Sequence, residues 1–142
     1  MTATPPDAWA QACMEEHNRL RRKFGKADLQ WSPRAASYAQ IWSNILNARQ
    51  TGLAHSHGMF PGYGENLYSG TPSCRDAVRA WGAEAPLYNG EPIGTGDFEG
   101  YGHFTQAIWP DTTAVGCAIS GVTITCEYYP AGNFQGEVVS KH

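Results

Sequence analysis

The sequence predicts an α+β fold in which helices flank a small, mainly antiparallel sheet ending in a hairpin. Two observations carry this. Apolar side chains recur at helical spacing in three segments before Gly82, and residues 113–129 alternate β-branched and small side chains around Gly121-Val122. The length of 142 residues is most simply one domain spanning 1–142. A chain of this size can bury ~68–70% of its unfolded surface. Five tryptophans, seven tyrosines and five phenylalanines supply bulk for the core.

Each element has its own signal. Asp7 follows two prolines and is placed to cap a first helix, on which Trp9, Cys13, His17, Leu20 and Phe24 form one stripe. Gly25 ends it. Ser32-Pro33 opens a second helix with Ala35, Tyr38, Ala39, Trp42, Ile45 and Leu46 on its apolar face, stopped by Gly52. Ser73 and Asp76 mark the start of a third, burying Ala77, Val78 and Trp81. A short fourth helix is expected after His103. Strands are expected near Asn66–Ser69, Thr113–Ser120 and Val122–Tyr129. The glycine-rich stretch from Glu91 to Gly102 is read as a mobile loop, either a gate beside His103 or an ordinary surface connection.

A net charge of −3 argues against a nucleic-acid partner, which would need a basic stripe. The run Arg19, Arg21, Arg22, Lys23 is read as the solvated face of a helix. No apolar run approaches the ~20 residues of a membrane span. The segment Met1-Thr2-Ala3-Thr4-Pro5-Pro6 has neither a charged nor an apolar signal region, so either the protein is not exported or a signal has been removed.

A two-residue turn at Gly121-Val122 sets Cys117 opposite Cys126, and directly opposed Cβ atoms lie ~4.5–5.5 Å apart, close to what a disulfide accepts. The even count favours a second bridge, Cys13–Cys74, without proving it. Disulfides point to an oxidising compartment.

Four polar residues stand beside glycine, aromatic or turn positions: His55, Glu65 in Gly64-Glu65-Asn66-Leu67, Glu84 after Trp81, and His103 in Gly102-His103-Phe104-Thr105-Gln106. Two imidazoles and two carboxylates suit a metal site or an acid/base site. The segments Gly64-Glu65-Asn66-Leu67, Gly102-His103-Phe104-Thr105-Gln106-Ala107-Ile108-Trp109 and Cys126-Glu127-Tyr128-Tyr129-Pro130-Ala131-Gly132-Asn133 resemble the signatures of the CAP superfamily. That superfamily takes its name from cysteine-rich secretory proteins, antigen 5 and pathogenesis-related-1 proteins. His17-Asn18-Arg19-Leu20-Arg21 resembles its first-helix motif. The resemblance runs in family order from Met14 to Gly136. It implies a three-layer α-β-α sandwich, secretion, and a central cleft holding His55, Glu65, Glu84 and His103.

The expected site is therefore one divalent cation, zinc, on His55 and His103, with Glu65 and Glu84 acting behind them or as catalytic carboxylates. Only two histidines are obvious ligands, so the affinity should be modest. His57 is a rival for His55, and His17 is read as a packing residue. No His-Glu-x-x-His helix and no nucleophile motif occurs.

Two functions follow. One is a secreted, monomeric module in defence or host interaction that binds a fatty acid, a sterol or a protein partner. The other is a metal-dependent or Glu/His-dependent hydrolase in the same cleft. Aromatics at the caveolin-binding spacing associated with sterol binding in the superfamily do not occur here. An apolar ligand is expected in a groove along the Trp9–Phe24 stripe, because the tetrad is too polar for an acyl chain.

Overall fold

The computed structural model describes residues 4–142; Met1–Ala3, part of the segment read for an export signal, lie outside them. Helix α1 spans Ala8–Lys23, and Asp7 caps it by accepting the Ala10 N–H at 2.8 Å. Helix α2 spans Pro33–Arg49, with Ser32 accepting from Ala35 N and proline in the first turn, where its missing N–H costs nothing. It closes on Gln50 in the left-handed region, two residues before the expected glycine. Helix α3 spans Cys74–Gly82 under a Ser73 cap.

Strand β1 (Gln30–Trp31) pairs parallel with β3 (Ala114–Ser120); β4 (Thr123–Tyr129) pairs antiparallel with β3 and with β2 (Gly64–Ser69). The sheet order is β1-β3-β4-β2, which leaves β2 on an edge. The hairpin register puts Cys117 opposite Cys126 and Ser120 opposite Thr123, with Gly121 at φ +59° in the turn. A side chain at that φ is strained, so glycine suits the first turn position.

Alternation divides the strands between two layers. Val115, Cys117, Ile124, Cys126 and Tyr128 join Ala10, Cys13, Cys74, Val78 and Trp81 in the core under α1 and α3. Thr125 faces the opposite way, where its hydroxyl meets Ser43 of α2 at 2.7 Å, and Leu67 packs with Trp42 and Leu46. Helices thus lie on both faces of the sheet, the sandwich that the sequence predicts. The two expected disulfides, Cys13–Cys74 and Cys117–Cys126, form, and both lie in the α1–α3 layer.

Four expectations change. Helix α4 runs Phe98–Ala107 and begins before His103, not after it; Asp97 caps it, and Gly100 and Gly102, which read as loop, lie inside it. The preceding loop is pinned rather than free: Ile93 N donates to Glu137 O at 2.7 Å, Gly136 N to Ile93 O at 2.9 Å, and Tyr101 Oη to Thr95 O at 2.7 Å. Arg21 is not solvated. It is 1% exposed, and its guanidinium donates to the carbonyls of Ala27, Ala107, Trp109 and Thr112. Burial lowers its pKa to about 10, so it stays charged at neutral pH. Lastly, the α1 stripe is mostly core rather than one continuous groove: Cys13 and His17 are fully buried, and Leu20 and Phe24 pack against the α4 core, while Trp9 and Leu20 still border cavities. Among the described residues, three cavities border α1: about 560 Å³ lined by Gln11, Met14, Glu15, Asn18, Arg19 and Arg22, about 320 Å³ beside Trp9, Trp31 and Ile119, and about 270 Å³ beside Leu20 and Val78.

Candidate functional site

The edge strand β2 builds the site because its alternation sends consecutive residues to opposite faces. Glu65 points to the α2 side and meets His55 from the loop after α2; His55 Nδ1 lies 2.9 Å from Glu65 Oε1. Ser56 adds its N–H to the same oxygen at 3.0 Å and its hydroxyl to Oε2 at 2.7 Å. Asn66 points to the other face, donating to the carbonyl of His103 at 3.0 Å and to Tyr128 Oη at 3.2 Å. One strand therefore anchors both halves of the cleft.

The second half comes from α3 and α4. Glu84 follows α3; its Oε1 accepts the Phe104 N–H at 3.0 Å and its Oε2 lies 2.8 Å from His103 Nδ1. The His103 ring lies nearly parallel to the Trp81 indole, 9° between planes, with centroids 6.1 Å apart. His55, Glu65 and His103 line one cavity of about 500 Å³, together with Gly64, Asn66, Phe98, Glu99, Gly102, Gln106, Gly132 and Asn133. Gly64 is required there: a Cβ would run into the Gln106 carboxamide, whose oxygen accepts from Gly132 N at 3.0 Å.

The electrostatics follow from these contacts. Burial pushes the Glu65 carboxyl upward, but hydrogen bonds from His55 and Ser56 outweigh it and hold the group below the usual carboxylate range. An ionised carboxylate only accepts, so each histidine carries its proton on Nδ1 and turns Nε2 away from its glutamate. Among the described residues nothing bonds Nε2 of either ring.

His57, the rival ligand, does not line the cavity; its ring centroid is 6.3 Å from that of His55. His17 is the packing residue expected. Its Nδ1–H donates to Cys13 O at 2.9 Å and its Nε2 accepts from Tyr128 Oη at 2.6 Å. Burial pushes its pKa down to about 4. Among the described residues, the set of three or more ligand atoms within 4.8 Å of one another is the four bridged cysteine sulfurs, not the tetrad. The cleft thus offers two imidazoles and no compact three-ligand cage.

One site residue escaped the sequence reading. The β2–β4 register sets Glu127 directly opposite Glu65, and Glu127 is 1% exposed. Burial first, then the Glu65 charge, push its carboxyl up to about 10. A period-2 reading of 123–129 could have placed it on the Thr125 face, but nothing in the sequence gives the pairing with Glu65.

The comparisons with known proteins agree with this geometry. Residues 14–129 match the sequence model of CAP, the cysteine-rich secretory protein family. Pathogenesis-related protein 1A of Nicotiana tabacum is 34% identical over 135 residues, covering 89% of this chain and 78% of that protein. Secreted protein RBT4 of Candida albicans is 36% identical over 135 residues; the match takes in 90% of this chain but only 36% of that longer protein. The crystal structure of NaASP2 with Zn²⁺ superposes with a TM-score of 0.73 at 24% identity, covering 96% of this chain and 90% of that one. With these relatives and the two disulfides, the expected extracellular placement stands; no described helix is long and apolar enough to cross a membrane. The order of motifs, the layered fold and the matched residues make this chain a member of the CAP family.

Proposed function

We propose that this CAP domain is an extracellular binding module whose cleft holds one divalent cation, zinc, on Nε2 of His55 and Nε2 of His103. A single observation carries the reading. Each imidazole is held by a glutamate through Nδ1, which fixes the tautomer that presents Nε2 for coordination, and both rings line the same cavity. The donor set suits zinc, which accepts neutral imidazole nitrogen. Two protein ligands leave coordination positions for water or for a polar group of a bound partner. The cation would supply that attachment point. The chain's own residues orient the rings and line the cavity, Phe98 with an apolar wall and Gln106 and Asn133 with amide groups. The Zn²⁺ in the NaASP2 structure supports this choice of ion.

The hydrolase reading draws less support. Glu65 already accepts three hydrogen bonds and is held in its ionised, weakly basic form, which does not suit a general base. Beside α1 the apolar space is split into small cavities at Trp9 and at Leu20, so the reading rests on the cleft.

Calorimetry with zinc at pH 7.5 tests the site. His55→Ala or His103→Ala should nearly abolish binding, since two imidazoles have no redundancy. Glu65→Gln and Glu84→Gln should each weaken it ~10–100-fold. Affinity should fall in acid, because a protonated imidazole cannot coordinate. Equal affinity in wild type and both alanine variants would sink the proposal, and binding lost in His57→Ala but kept in His55→Ala would move the site to the neighbouring ring.

A further inference from the structure

We propose that Glu127 is a positioning residue of the cleft: it stays protonated, donates its carboxyl hydrogen to Glu65, and so fixes Glu65 and the His55 imidazole behind it. Directly opposed residues on neighbouring antiparallel strands hold their side chains on one face, and Glu127 stands opposite Glu65. Its other neighbour in the register is Gly116 of β3, which brings no side chain. Behind Gly116 lies the backbone of α2 at Ser32, Ala35 and Ala36.

The surroundings decide the protonation state by exclusion. Among the described residues, Glu127 Oε2 is the one buried side-chain polar atom without a hydrogen-bond partner, and no salt bridge reaches this carboxyl. A buried carboxylate with no cation and no donor, next to a second carboxylate, is among the costliest arrangements in a fold. A neutral carboxylic acid in the same place leaves only a carbonyl-type acceptor unpaired, which is far cheaper.

Glu65 has room for the proton that such an acid offers. A carboxylate has about four acceptor positions. Three are taken, by His55 Nδ1–H and Ser56 N–H on Oε1 and by the Ser56 hydroxyl on Oε2. The Glu127 carboxyl, directly opposite on β4, supplies the hydrogen for the fourth. Glu65 is then held from both sides, by Ser56 in the loop and by Glu127 in the sheet. A Glu65 that cannot rotate presents one oxygen to His55 and selects one imidazole tautomer.

This inference deepens the proposed cleft and rests on His55 belonging to it, but its tests use metal-free protein, so they stand whether or not zinc binds. Infrared difference spectra in D₂O should show the carbonyl stretch of a protonated carboxylic acid persisting at pH 8 in wild type and missing in Glu127→Gln. Wild type without that band overturns the proposal even if no variant folds. Long-range ¹H–¹⁵N spectra of the imidazoles should show a single Nδ1–H tautomer for His55 in wild type. Glu127→Gln, whose amide can still donate, should keep it, while Glu127→Leu should give a mixture of tautomers with unchanged far-ultraviolet circular dichroism. A folded Glu127→Leu with the wild-type His55 spectrum would show that Glu127 does not position the ring.

Discussion

The two faces of the sheet bury polar groups in opposite ways. Under α1 and α3, the His17 ring, Tyr128 hydroxyl, Asn66 amide and His103 carbonyl form an unbroken hydrogen-bonded chain, flanked by both disulfides. Under α2, Glu65 and Glu127 face each other with one oxygen unpaired. That chain is neutral and satisfied, which suits a support beneath His103. The second face carries the strain beside the proposed metal ligand. The satisfied chain steadies the His103 half of the cleft, and the exception lies beside the His55 half.

Removing staples should have the largest effect, and both staples lie in the first face. The Cys13–Cys74 bridge spans 61 residues and the Cys117–Cys126 bridge spans 9. Loop-closure entropy then gives about 4 and about 3 kcal/mol respectively. Chemical denaturation of the two paired Cys→Ala variants should rank them in that order, and the reverse ranking would make the short hairpin bridge the main staple of that layer.

The pH profile sharpens the contrast next. His17 titrates at about 4 in the fold and at 6.5 when unfolded, so the unfolded chain takes up the proton first and stability falls as pH drops from 6.5 to 4. Glu127 titrates at about 10 in the fold against 4.5, so the native state keeps a proton the unfolded chain gives up, and stability falls as pH rises above 4.5. Together the two groups give a level stretch between 4.5 and 6.5 and a decline above it. Glu127→Gln should remove the decline and raise stability at pH 7 by up to about 3 kcal/mol. A variant no more stable than wild type at pH 8 would mean that Glu127 titrates normally.

The smallest effect is expected on the satisfied chain. Tyr128→Phe leaves His17 Nε2 and one Asn66 proton without partners and should cost about 1–3 kcal/mol. Zinc affinity should change little, because the chain reaches His103 through Asn66 and the backbone carbonyl rather than through the imidazole. A large loss of affinity would show that the two faces are coupled through His103.

Much of this was legible in the sequence because it is local. Caps at Asp7, Ser32 and Ser73 announce themselves within three residues, and Gly121-Val122 fixes the hairpin register and hence the opposition of Cys117 and Cys126. The tetrad positions came from motif resemblance, and their pairing came only with the fold. What stayed hidden depends on distant partners. Strand β1 is two residues long, too short to show a period. Arg21 looked solvated because its acceptors include backbone carbonyls 86 to 91 residues away, which leave no trace in composition. Gly100 and Gly102 read as loop residues although Asp97 caps a helix around them.

Arg21 has a consequence for how the molecule can vary. Its guanidinium sits at the C-terminal end of α4, the helix that carries His103, and binds carbonyls there in a planar fork that a lysine ammonium cannot reproduce. The cleft's geometry is thereby indexed to one buried side chain of α1 rather than to that helix's outer surface. Arg22 and Lys23 beside it are exposed and free of that duty. The outside of α1 can therefore drift in charge and shape to meet different partners while the position of His103 is held constant, a separation of recognition surface from site that lets one scaffold be redeployed.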